Sequence, residues 1–210
     1  DNWDWQRDMP GDRSDLIWQR YRAYEGAPML LNPQSGFLFN SNNTPFSATD
    51  GPDNLRVGDF PQSMGLATNQ TNRSMRTIEL MDGTTPVSRE SLLALKFDVS
   101  YSPESGPAKR LRTMIAAGAG GDESLAGPLA HAAAWNLSAD AENRHAALVI
   151  TALRRHNKVT PNDESGAALT AALKWAADYL IQHHDRIDPK WGEVSRLVRG
   201  DVSLPVDGGP

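Results

Sequence analysis

The chain has 210 residues, 39% apolar and 22% charged, with a net charge of −5. These proportions suit a folded protein of one domain or two small ones and not a disordered tail. The acidic balance, with a pI near 5.5, argues against a basic nucleic-acid-binding face, and the absence of cysteine removes a disulfide scaffold, a Cys-ligated zinc site and a thiol nucleophile.

No apolar run, including residues 146–153, approaches the roughly 20 residues of a membrane-spanning helix. The first residue is Asp1, and the last five, Val206-Asp207-Gly208-Gly209-Pro210, read as the middle of a turn. Both ends lead us to expect a processed chain or a piece of a larger one. Residues 1–26 carry Trp3, Trp5, Trp18, Tyr21 and Tyr24 among charges, with a turn signal at Pro10-Gly11-Asp12. They predict irregular structure with a short strand at 15–18. A hairpin is expected next. Met29-Leu30-Leu31 and Phe37-Leu38-Phe39 flank Asn32-Pro33-Gln34-Ser35-Gly36. There Pro33 sets the φ of a turn's second residue, and Gly36 takes the positive φ of a following bulge. The flanks do not alternate apolar with polar, so both faces are expected to be buried.

Residues 40–73 form a long polar loop holding Asn40, Asn42, Asn43, Asn54, Asn69 and Asn72. Loops of that length in compact proteins are functional or disordered. From there the pattern turns helical. One helix is expected at 73–81. A second, at 88–98, is capped by Ser88, with Leu93 and Phe97 on one face. A third, at 108–117, is stopped by Gly118, Gly120 and Gly121. Residues 122–135 contain Pro128, which belongs near a helix start. Helices at 141–156 and 164–184 follow, the latter with a stripe of Leu169, Leu173, Ala176 and Leu180. The tail from Trp191 is short and mixed. The fold class is therefore α+β: a strand- and loop-rich first part, 1–80, and a mainly helical second part, 81–210, belonging to one larger domain.

Most candidate sites have a simpler structural reading. His183-His184-Asp185 suits a solvated helix end, because adjacent His residues on a helix point in different directions. His145 and His156 share a helix face, but no His-Glu-x-x-His pattern exists. There is no Gly-x-Ser-x-Gly elbow. Gly118-Ala119-Gly120-Gly121 lacks the Lys-Ser/Thr of a phosphate-binding loop. Asp50, Asp53 and Asp59 offer hard oxygen ligands for Ca²⁺ or simply a solvated acidic loop. The strongest feature is the run from Asn32 to Pro45, where the expected hairpin ends in a cluster of Asn side chains. An amide NH₂ held by a rigid element is a neutral donor suited to a developing oxyanion. The same residues also suit plain turns.

At this segment the sequence resembles the penicillin acylase family of N-terminal nucleophile hydrolases, which includes cephalosporin and acyl-homoserine lactone acylases. The pattern runs Asn32-Pro33-Gln34-Ser35-Gly36, three apolar residues, then Asn40-Ser41-Asn42-Asn43-Thr44-Pro45. Weaker matches follow in order: Asn72-Arg73-Ser74-Met75-Arg76, Ala133-Ala134-Trp135, Trp191-Gly192-Glu193-Val194, and Gly200-Asp201-Val202-Ser203-Leu204-Pro205. The resemblance covers most of the chain. It implies a four-layer αββα sandwich and amide hydrolysis by an N-terminal Ser whose own α-amino group is the base. It also implies that Asn42 lines the oxyanion hole and that Arg73, or Arg76 one turn on, organises the site. Trp18, Phe37, Phe39 and Phe46 are candidates to line an acyl pocket, with a plain role in the core as the alternative. Several members hold a structural Ca²⁺, for which Asp50 or Asp53 is the matching position; no cofactor is required.

Residue 1 is Asp, so the nucleophile is expected from a companion chain of the same precursor, and this chain alone is expected to be inactive. The resemblance places the protein in the periplasm or outside the cell. The rival expectation is a non-catalytic helical binding or interaction module.

Overall fold

The computed structural model describes residues 7–82 and 86–209, so Trp3 and Trp5 lie outside the described residues. The chain divides into two compact units, Asp1–Asp82 and Gly83–Pro210.

The first unit is mostly extended chain punctuated by 3₁₀ turns at Ser14–Leu16, Tyr24–Gly26, Pro45–Ser47, Val57–Asp59 and Gln62–Met64. It ends in helix α1, Asn72–Met81. Thr71 caps α1 by accepting from the Ser74 amide, and Ser74 Oγ donates back to the Thr71 carbonyl at 2.8 Å. Two sequence expectations fail here. The strand at 15–18 is instead the first 3₁₀ turn. The hairpin of 29–31 with 37–39 does not form, and this unit has no strand among the described residues. The turn between them does exist: the Gly36 amide donates to the Pro33 carbonyl at 3.0 Å, and Gly36 sits at φ +76°, where Gly has no steric penalty. What differs is the partner. Phe39 N–H donates to the Ala48 carbonyl at 3.0 Å, and the Phe37 carbonyl receives the Thr49 hydroxyl at 2.8 Å. Residues 37–39 are thus held by 48–49 and not by 29–31. Burial on both faces fails too, since Leu31 is 73% and Leu38 53% exposed.

The second unit is a helical assembly. Helix α2, Arg89–Lys96, starts with a capping box in which the Ser88 and Ser91 side chains bond reciprocally to each other's backbone amides. The face with Leu93 and Phe97 is exposed. Helix α3, Gly106–Ala117, is capped by Ser105 and stops at Gly118, whose φ is +64°. A 3₁₀ turn, Glu123–Leu125, leads into α4, Ala126–Ala133, with Pro128 in its first turn where no N–H is missed.

Helix α5, Ala146–Val159, is buried along its whole first two turns, from Ala146 to Leu153. It begins five residues later than the pattern suggested. Side chains explain the delay: Asp140 accepts from the Glu142 amide and Asn143 from the His145 amide, both at 2.8 Å. These local bonds hold the backbone in turns that compete with helix. Helix α6, Gly166–His184, presents the expected stripe, with Leu169, Leu173, Ala176 and Leu180 all fully buried. It packs along α5 and α3. Gly166 lies so close to Ala117 of α3 that a Cβ there would overlap it. Lys174 of α6 pairs with Asp122 and, with Ser124, holds that exposed carboxyl down at about 2.

A short helix α7, Trp191–Val194, leads into an antiparallel hairpin of β1, Arg196–Arg199, and β2, Val202–Pro205. Leu197 faces Leu204 and Arg199 faces Val202. Gly200, at φ +55°, supplies the two-residue loop. The fold class is α+β as expected, but the described strands belong to the second part and not the first.

Candidate active site

The Asn cluster is a knot tied by its own side chains. Asn43 does most of the tying. Its Oδ1 accepts from the Ser41 amide at 2.8 Å and the Ser41 hydroxyl at 3.2 Å, while its Nδ2 donates to the carbonyls of Thr44, at 3.1 Å, and Ser47, at 2.6 Å. Asn54 closes the far side, accepting from the Ala48 and Thr49 amides and donating to the Thr49 carbonyl. Thr44, Ser47 and Thr49 are buried beneath the knot. With these bonds satisfied, residue 42 is pushed outward. Asn42 has φ +59°, the left-handed region that Asn tolerates better than most residues. Its amide is held by Asn40 Oδ1 at 2.9 Å, and its side chain is exposed.

Into this outward side chain reaches Arg73, the second residue of α1. Its Nη2 donates to Asn42 Oδ1 at 2.8 Å, across 31 positions of sequence. Arginine has only donors, so this contact decides which way the amide lies: the carbonyl end faces Arg73 and the NH₂ end faces away. Among the described residues Nδ2 has no partner. The guanidinium, and the positive end of α1 behind it, polarise the amide and make its N–H a stronger donor. The family resemblance gives Asn42 as the oxyanion residue and Arg73 as a site organiser, with Arg76 in reserve. Arg76 instead pairs with Glu79 on its own helix at 2.7 Å.

The family model for penicillin amidase matches residues 2–210 of this sequence. The chain belongs to the penicillin amidase family. Its members are amide hydrolases, made as processed acylases that act on small amide substrates.

The remaining expected site residues of this penicillin amidase chain scatter more widely. Phe37 packs against Phe39, with ring centroids 6.3 Å apart, while Phe46 packs against Phe60 at 6.0 Å. Phe60 was not singled out in the sequence, because nothing in its spacing links it to Phe46. Trp18 is 78% exposed. Asp50 accepts from the next residue's amide, and Asp53 Oδ2 accepts from the Gln34 amide at 2.6 Å, bracing the 32–36 turn. Among the described residues no three His, Asp or Glu side chains gather as metal ligands. Ca²⁺ takes six to eight oxygens, so Asp50 and Asp53 do not make a calcium site by themselves.

The histidines are tied into the helical unit. His131 donates from Nε2 to the Arg144 carbonyl at 3.0 Å, and His145 from Nδ1 to the His131 carbonyl at 3.1 Å. Their rings lie 4.3 Å apart. Burial pushes the His131 imidazole below its ordinary value, and the neighbouring His145 adds to this against the Arg144 carbonyl and Asp188. His156 donates to the Asp163 carbonyl at 2.7 Å. Among the described residues no helix is long and apolar enough to cross a membrane.

Proposed function

We propose that Asn42 is the oxyanion donor of an acylase and that Arg73 holds it in the productive orientation. The orientation of the Asn42 amide, carbonyl toward Arg73 and NH₂ outward, is the observation that carries this reading. In hydrolysis of R–CO–NH–R′, a serine oxygen adds to the carbonyl carbon and the π electrons move onto the carbonyl oxygen. Asn42 Nδ2–H donates to that oxygen as the charge forms. Collapse expels the amine, which takes a proton, and water then releases the acid from the ester. A donor already aimed at the oxyanion needs no reorganisation at that moment.

The serine must carry a free α-amino group as its base. In line with the family resemblance, we assign the nucleophile to a companion segment of the same precursor and expect this chain by itself to be inactive. Two features support a companion. The first unit exposes Ile17, Trp18, Tyr21, Tyr24 and Leu31, and the β1–β2 hairpin exposes Leu197, Val198, Val202 and Leu204. Further strands of an αββα sandwich would cover such surfaces. Phe37, Phe39 and Phe46 are the proposed acyl-pocket side chains, and a periplasmic or secreted location goes with this class of enzyme. Calcium enters only as a structural ion, with Asp50 or Asp53 as one ligand. A fall in melting temperature on chelation tests that assignment.

The decisive experiment is kinetic, on the complete enzyme with acyl 4-nitroanilides as probes. Asn42→Ala should lower kcat by about 10²–10³, the scale for one oxyanion donor. Asn42→Asp, which still accepts from Arg73 but has no N–H to offer, should lose as much. Either variant at full kcat ends the assignment. Intact mass and N-terminal sequencing of the undissociated preparation should show a second chain beginning with Ser.

A further inference from the structure

A second tie joins the two elements that carry Asn42 and Arg73. Gln70 Nε2 donates to Ser47 Oγ at 2.9 Å, across 23 positions of sequence. Ser47 is buried at 4% exposure, and its carbonyl is the acceptor for Asn43 Nδ2 at 2.6 Å. The bonds therefore run Ser41–Asn43–Ser47–Gln70, with Asn42 between the first two residues and Arg73 three residues beyond the last. The direct Arg73–Asn42 bond closes the ring.

The two ties have different mechanical value. Arg73 reaches Asn42 through a long side chain with several rotatable bonds, so that contact alone leaves the separation of loop and helix open. The Gln70–Ser47 bond ends on a buried hydroxyl, where water competes less, and it acts one residue before the Thr71 cap of α1. It sets where the helix begins relative to the Asn knot. Gln70 itself is exposed, so the bond contributes little to any core.

We propose that Gln70 is a positioning residue, which fixes the start of α1 on Ser47 so that Arg73 meets Asn42 with its NH₂ aimed at the oxyanion. This rests on the reading of Asn42 as the oxyanion donor. Misplacing a catalytic group by about 1 Å can cost 10²-fold, and loosening one of two ties should cost about tenfold.

The test uses the complete enzyme and an acyl 4-nitroanilide, with kcat and KM read separately. Gln70→Met, which keeps the length and removes the donor, should lower kcat about tenfold with KM unchanged. Ser47→Ala removes the other end of the same bond. It should give the same loss, and the double variant no more than either. In an Asn42→Ala background Gln70→Met should change nothing further, because the group it positions is gone. Unchanged kcat in Gln70→Met, while Asn42→Ala still costs its full factor, overturns the positioning role. An equal fractional loss with and without Asn42 also overturns it, since that is diffuse weakening of the fold. Full activity in Asn42→Ala would remove the oxyanion reading itself, a result visible separately from the Gln70 comparison.

Discussion

The two units are held together by different physics. In the second, the buried side chains are chiefly apolar: Met114, Leu148, Ile150, Leu169, Leu173, Leu180 and Trp191 are all at or near zero exposure. In the first, the fully buried side chains among the described residues are Thr44, Ser47, Thr49 and Ser74, every one a hydroxyl. Large apolar side chains there stay in contact with water. A packed apolar core supplies non-directional stability proportional to area. A hydroxyl network supplies direction, and it costs dearly when one partner is lost. The proposed catalytic Asn and Arg sit on the directional unit, where angles matter, and not on the one with the larger core.

That contrast can be attacked at several scales. The largest stability effect should come from the helical core. Leu173→Ala, at a fully buried position of α6, should cost about 2–5 kcal/mol, read by denaturant unfolding. A cost below 1 kcal/mol would show that the α5–α6 packing is looser than described. In the first unit, Thr49→Val keeps the volume and removes the hydroxyl that serves the Phe37 carbonyl. The Phe37 carbonyl then keeps only its longer bond from the Ser35 hydroxyl, at 3.3 Å. The change should cost about 1 kcal/mol, and amides of residues 35–54 should exchange faster while those of α5 and α6 do not change. Uniform acceleration across both units would erase the distinction.

The smallest effect is one of pH. All five His residues lie in the second unit. Because burial lowers the folded value of His131, the unfolded chain takes up the proton first as pH falls below about 6.5. Stability is therefore full above that value and declines as pH falls toward the folded one. His131→Gln should flatten the decline of the helical unit between about pH 7 and 5. Hydrogen exchange in the first unit should show no matching slope over that range.

How much of this was legible in the sequence varies along the chain. Two helix termini were read from a residue that announces them: Ser88, which accepts from the backbone three residues on, and Gly118, which ends α3. Ser105, Ser165 and Thr71 cap their helices in the same way but were not singled out. The start of α5 was misread because Asp140 and Asn143 spend their carboxylate and amide groups on turns, a choice the apolar pattern does not encode. The hairpin expected around Pro33 failed on its partner and not on its turn. The real hairpin, around Gly200-Asp201, was passed over because its strands are only four residues each.

The site divides in the same way. Composition and local spacing determined that Asn residues cluster after an apolar triplet, that an Arg opens a helix thirty-one positions on, and that no thiol or metal-binding Cys is present. These are properties of residue identity and order along the chain, which can be read without knowing how the chain closes on itself. The resemblance singles out Asn42, but the physical reason that Asn43 ties the knot while Asn42 is presented lies only in the tertiary structure. Asn42 and Asn43 are chemically identical, and what separates them is that Asn43 faces Ser41 and Ser47 while Asn42 faces a guanidinium. The roles of Ser47 and Gln70 were equally hidden, since a bond across 23 positions depends on how the chain closes, and no local pattern records that closure.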